Sequence, residues 1–183
     1  MKILLATILT FQITILVGQT NDIQKFQNDL INEQLMSYDG ETKISTSIDI
    51  PWMEYHLRRL FPDSTENTLT FTPVATKDTI VLTETERDSI ISFFQNPDNL
   101  KLTVNPTTFA TVEISQALEH LKDDHNNQVV FISKPLFIRD DEIGIAFFAN
   151  LCCGHIYGYV HLSFYRKQNE IWTRWIDISS GAF

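Results

Sequence analysis

The sequence predicts an α+β domain in which helices pack on one side of a curved antiparallel sheet that ends in a C-terminal four-segment β-meander. Three observations carry that expectation. Before Asn127, apolar residues recur at helical spacing in three separate stretches. After it, four strand-like stretches are joined by short polar connections. No repeat, low-complexity tract or long flexible linker divides the chain.

The chain opens with Met1-Lys2, runs apolar from Ile3 to Val17 and turns polar at Gly18-Gln19-Thr20-Asn21-Asp22. That is the charged, apolar and cleavage layout of a signal peptide. Residues 1–18 are therefore expected to be removed, leaving 19–183 as a single α+β domain. The apolar run is shorter than the roughly 20 residues a bilayer requires, and Thr7, Thr10, Gln12 and Thr14 dilute it. No membrane span is expected, and the destination is periplasmic or extracellular.

From Asn21 to Ser37, the positions Ile23, Phe26, Leu30, Ile31 and Leu35 mark an amphipathic helix that Tyr38-Asp39-Gly40 ends. Ile44, Ile48 and Ile50 share one parity and suggest a strand, and Pro51 opens a short helical stretch that Pro62 stops. Eight threonines fall within the 22 residues from Ser64 to Thr85, interleaved with Leu69, Phe71, Ile80 and Leu82, which suits short strands or a hairpin. Thr83 and Glu86 are spaced as a capping box for a helix that buries Ile90, Ile91, Phe93 and Phe94 and stops at Asn96-Pro97. A third helix is expected from Val112 to Lys122, burying Ile114, Ala117, Leu118 and Leu121.

The meander begins at Val129-Val130-Phe131-Ile132, breaks or bulges at Pro135, and resumes as Leu136-Phe137-Ile138 up to the acidic turn Asp140-Asp141-Glu142. Ile143 to Ala149 is apolar or small on both parities, as a central strand covered on both faces would be. Tyr157 to Arg166 and Ile171 to Ile178 follow, separated by the polar residues Lys167 to Glu170.

Charge narrows the partners. The formal net charge is −9, and loss of Lys2 with the signal peptide makes it −9 − 1 = −10. Between Gln19 and Asp98 stand 14 Asp or Glu against 6 Lys or Arg. No basic stripe exists to meet phosphates, so neither nucleic acid nor an anionic membrane surface is an expected partner. The acid excess reads as solubility.

The two cysteines are adjacent, Cys152 and Cys153. Neighbouring Cα atoms lie about 3.8 Å apart, and on a strand their side chains point to opposite faces, so a bridge between them needs a strained turn. Packed free thiols are the preferred reading over a vicinal or intermolecular bridge.

The segment from Ile132 to Ser179 carries a Ser-x-Pro-x-Phe step at Ser133, Pro135 and Phe137, turn elements at Cys153-Gly154 and Gly158, and tryptophans at Trp172 and Trp175. In these features, and in Leu82 to Ile90, the chain resembles a group of small exported bacterial-type proteins without an assigned activity. The shared features are structural punctuation, and the resemblance implies no function.

The most informative stretch is the strand after Gly154. One parity carries Ile156, Val160, Leu162 and Phe164; the other carries His155, Tyr157, Tyr159, His161, Ser163 and Tyr165. Side chains with a large body and a hydrogen-bonding tip suit interfaces and ligand pockets, so His155, Tyr157, Tyr159 and His161 are the expected contact residues for a protein or small-molecule ligand. The competing reading is that this face is packed as ordinary sheet.

Other chemistry finds less support. His155 and His161 would stand about 20 Å apart on one strand, too far for a single ion, and Cys153 and His155 alone are too few, so no metal is expected. His120 and His125 fall on different sides of a helix, and Asp140-Asp141-Glu142 lacks EF-hand spacing. Ser133 beside Lys134 belongs to no hydrolase motif. Only Cys153, next to Gly154 and His155, offers a thiol near an imidazole. The expected function is thus an exported, non-enzymatic binding or interaction domain without cofactors; the alternative is a small hydrolase or thiol-dependent enzyme centred on Cys153 and His155.

Overall fold

A computed structural model of the chain describes residues 22–34, 40–60, 69–71, 78–101, 109–153 and 157–182. The expected signal peptide, the turn at Tyr38-Asp39, half of the threonine-rich stretch, Gly154, His155 and Ile156 lie outside the described residues.

Helix α1 spans 22–34 and buries Phe26, Leu30 and Ile31 as its apolar stripe. Strand β1, Thr42–Ser45, is shorter than the shared parity of Ile44, Ile48 and Ile50 suggests. Ile48 is buried beyond the strand's end, whereas Ile50 is exposed and opens α2, Ile50–Leu57, with Pro51 in its first turn. Strands β2, Leu69–Phe71, and β3, Ile80–Leu82, form an antiparallel hairpin.

Helix α3, Glu84–Gln95, starts on the expected capping box: the Glu86 amide donates to Thr83 Oγ1 at 3.2 Å, and the Thr83 amide donates to Glu86 Oε2 at 2.9 Å. The helix expected from Val112 begins later. Ala110–Val112 is strand β4, and α4 runs Ile114–Asp123, burying Ala117 and Leu121 but leaving Leu118 exposed.

The C-terminal strands are β5, Gln128–Ile132, β6, Leu136–Ile138, β7, Ile143–Cys152, β8, Tyr157–Gln168, and β9, Ile171–Ala182. Both β5 and β6 pair antiparallel with β7, so they are two pieces of one strand broken at Ser133-Lys134-Pro135. Ser133 mends the break: its amide donates to the Phe147 carbonyl at 3.1 Å, and its hydroxyl accepts from the Phe147 amide at 3.0 Å. The β8–β9 turn holds Asn169 and Glu170 at φ 51° and 64°, as a two-residue hairpin turn matched to strand twist requires.

The strands assemble in the order β4-β1-β5-β7-β8-β9, with β6 beside β7. β1 is parallel to both β4 and β5, so the sheet is mixed and the expectation of an antiparallel sheet is corrected. The partners of β1 stand far along the chain, joined through helices, and no local pattern announces such a pairing.

The two parities of the sheet bury against different layers. Val129, Phe131, Phe147, Leu162, Phe164 and Ile176 share a cluster with Met53 and Leu57 of α2, Ile90 and Phe94 of α3, and Leu121 of α4. Val130, Ile132, Ala146, Phe148, Tyr165 and Trp172 cluster instead with Phe26, Leu30 and Ile31 of α1. Helices therefore lie on both sides of the sheet, which corrects the one-sided arrangement for α1. Gly144 admits the Phe26 ring, since a Cβ there would stand 2.5 Å from Phe26 Cε2. Among the described residues no helix is long and apolar enough to cross a membrane.

Candidate functional site

The expected contact face of β8 is largely the floor under α1. His161, Ser163 and Tyr165 have no exposed surface, so His161 does not belong to an open face. Tyr159 is half-buried, and its hydroxyl donates to the Gln34 carbonyl at the end of α1. Tyr157 is described only by its backbone, opposite Cys152. The rings of Phe148, Tyr159 and His161 stack across the two strands within 19° of parallel, with centroids 5.5–6.1 Å apart.

Two irregularities in the pairing of β8 with β9 bring further groups to this face. The register shifts between Leu162 and Ser163 and again between Phe164 and Tyr165, so Ser163 stands opposite Asp177 and Tyr165 opposite Arg174. Residues three apart in a regular strand face opposite sides. The bulge between them puts Arg174 and Asp177 on one side, the re-aiming that bulges commonly perform.

A directed chain of hydrogen bonds results. The Arg174 guanidinium donates twice to the Asp177 carboxylate, at 2.8 Å from Nε and 2.6 Å from Nη2. Ser163 Oγ donates to Asp177 Oδ1 at 2.7 Å. Having spent its one proton there, Ser163 Oγ accepts from His161 Nδ1, 3.0 Å away. That fixes the imidazole as the tautomer with Nε2 unprotonated. The Tyr165 hydroxyl lies 3.4 Å from the same Nδ1.

The charges follow from this geometry. Burial, with the Arg174 charge, pushes the His161 imidazole down to about 3, so it is neutral at physiological pH. Burial raises the Asp177 carboxyl, but the hydrogen bonds from Arg174 and Ser163 outweigh it and leave the net shift downward. Burial also raises the Tyr165 and Tyr159 hydroxyls, in the latter case against a hydrogen bond from Asn150. The outcome is an ionised Asp177–Arg174 pair joined through Ser163 to a neutral histidine. Such a histidine is far too weak a base for proton abstraction near neutrality.

The roof over this floor is fastened along a sheet edge. β9 is the last strand in the order, so its outward amides have no strand partner among the described residues. Asp29 accepts from the Trp172 amide at 3.1 Å, Glu33 accepts from the Arg174 amide at 3.2 and 3.3 Å, and Lys25 donates to the Glu170 carbonyl. Lys25, Asp29 and Glu33 repeat every four residues on the helix, about 6.0 Å of rise; their partners repeat every two on the strand, about 6.7 Å. The two pitches match closely enough for one helix face to close the edge.

Near Tyr159 the bonding is incomplete. Asn150 stands opposite Tyr159, donates its side-chain amide to Gln128 Oε1 at 3.0 Å, and is buried with it. Among the described residues, Asn150 Oδ1 and His161 Nε2 are buried acceptors without a hydrogen-bond partner. Both stand on the α1 side of neighbouring strands and flank Tyr159.

The other candidates separate from this site. Cys153 is half-buried at the end of β7, its sulfur 2.7 Å from that of Cys152, and His155 lies outside the described residues. Ser133 is fully buried and donates to the Lys134 carbonyl at 2.9 Å, serving the strand break. His120 is buried against the Glu41 carbonyl at 3.3 Å, whereas His125 is exposed. His56 of α2, on the opposite side of the sheet, pairs with Ser179 Oγ at 2.9 Å. Among the described residues no three His, Cys, Asp or Glu side chains gather as a metal site. Arg174, Asp177, Asn150 and Gln128 carry no motif; polar residues inside otherwise apolar strands were the only signal for them. Set against models of known protein families, curated protein sequences and solved structures, the chain matches none.

Proposed function

We propose that the chain is an exported, non-enzymatic binding domain whose ligand meets the rim of the sheet at Tyr159. The observation that carries this is the half-buried ring of Tyr159, which adjoins two buried acceptors unpartnered among the described residues, Asn150 Oδ1 and His161 Nε2. A half-buried tyrosine at a rim offers a ligand contact area at little entropic cost. Binding is favoured over catalysis because the histidine of the site is neutral, weakly basic and committed to Ser163. Export rests on the N-terminal sequence and on the likeness to small exported proteins.

The test compares wild-type chain with Tyr159→Ala, both immobilised and presented with the exported fraction of the native host. The expected result is a component retained saturably by the wild type and bound more weakly by Tyr159→Ala, by about 1–3 kcal/mol. The variant should meanwhile lose less stability than a core truncation. Equal retention by both chains would overturn the assignment, as would a Tyr159→Ala melt as damaging as the loss of a fully buried aromatic.

A further inference from the structure

The end of β7 holds a feature that the binding reading does not use. Cys152 is buried and Cys153 half-buried, and their sulfurs approach to 2.7 Å. Non-bonded heavy atoms rest about 3.5–4.0 Å apart and disulfide sulfurs about 2.05 Å apart, so the observed separation is too short for thiols in ordinary contact. The backbone explains the approach. On a regular strand the two side chains would leave opposite faces. Cys153 instead adopts φ 59°, a left-handed conformation uncommon for a residue with a Cβ, and this turn swings its side chain back onto its neighbour. The strained turn that a vicinal bridge demands is already present.

We propose that Cys152 and Cys153 are a modification site that closes a reversible vicinal disulfide by thiol–disulfide exchange. The oxidant is a disulfide, either of low molecular weight or on another protein. The more accessible Cys153 thiolate attacks one sulfur of that disulfide, forming a mixed disulfide and releasing one thiolate. The Cys152 thiol then loses its proton and attacks Cys153 Sγ, closing the ring and releasing the second thiolate. Two cysteine thiols are oxidised, one external disulfide is reduced to two thiols, and the atoms balance. The closed ring fixes the backbone at Cys152-Cys153, where β7 ends.

The site is tested by equilibrating the wild-type protein with oxidised glutathione, denaturing it, alkylating with iodoacetamide and measuring the intact mass. The expected product is a monomer lighter by two hydrogens with no alkylated cysteine, and two alkylations appear after dithiothreitol. Two alkylated cysteines without reductant, a persistent glutathione adduct or a disulfide-linked dimer would each overturn the proposal. Single variants test the route. Cys152→Ser should trap one glutathione on Cys153, and Cys153→Ser should acquire it on Cys152 several-fold more slowly; the reverse order would sink the assignment of Cys153 as the attacking thiol.

Discussion

The two faces of the central sheet are both buried, but they are held by different physics. Against α2, α3 and α4 the contact is almost wholly apolar, with Phe147, Leu162 and Phe164 fully buried, and such packing scales with area and tolerates small adjustments. Against α1 an aromatic cluster of Phe26, Phe137, Tyr165 and Trp172 adjoins the bonded series Arg174, Asp177, Ser163 and His161, which fixes orientation as well as proximity. One face supplies bulk stability; the other sets where α1 sits.

The sharpest test of the contrast is truncation on each face. Phe147→Ala on the apolar face and Trp172→Ala under α1 should each cost about 3–5 kcal/mol in urea denaturation, because both side chains are fully buried. If Trp172→Ala cost under about 1 kcal/mol, the α1 side would be no core, and the comparison would fail.

Acid should distinguish the faces next. His161 titrates near 6.5 in an unfolded chain and about 3 in the fold. Between those values the unfolded state holds one more proton, so stability is complete above pH 6.5 and declines as pH falls toward 3. The slope is about 1.4 kcal/mol per pH unit, giving a loss of about 2 kcal/mol by pH 5. The groups nearest the ring, Asp177, Arg174, Tyr165 and Tyr159, keep their charge states between pH 7 and pH 5. Burial also lowers His56 on the apolar face, so its titration adds a slope of the same sign. His161→Phe should flatten the larger part of the dependence in melts from pH 7 to pH 5, and an unchanged slope would show that His161 is not the group responsible.

The smallest effect belongs to the edge. Asp29→Ala and Glu33→Ala should each cost about 1 kcal/mol, since hydrogen bonds from backbone amides to partly solvated carboxylates are screened. The double variant should also self-associate, because it exposes the outward amides of β9. Light scattering against concentration checks this, and a strictly monomeric double variant would show that the carboxylates do not guard the edge.

The sequence made some of this architecture legible and hid the rest for identifiable reasons. Capping at Thr83-Glu86, the break at Pro135 and the doubly covered β7 were readable because each is a local rule acting on adjacent residues. The parallel position of β1 was not, because it depends on pairings with distant β4 and β5. At the site, alternation along β8 singled out Tyr159 and His161 as unlike their neighbours but could not say whether their face was open. Arg174 and Asp177 were hidden more deeply. Strict alternation sends them to opposite faces, and only the bulge in β9 reunites them.

The fastening of α1 to β9 also sets a timetable. Asp29 and Glu33 are separated from their partners on β9 by 143 and 141 residues. At a synthesis rate of about 5–20 residues per second, the helix emerges roughly 7–29 s before the strand that receives it. Throughout that interval Phe26, Leu30 and Ile31 have no finished surface to bury against. Contacts of such long sequence separation also form late in folding, after the costly closure of the intervening chain. β9 is thus the strand that secures α1, and α1 remains open to whatever binds the unfolded form until that strand arrives.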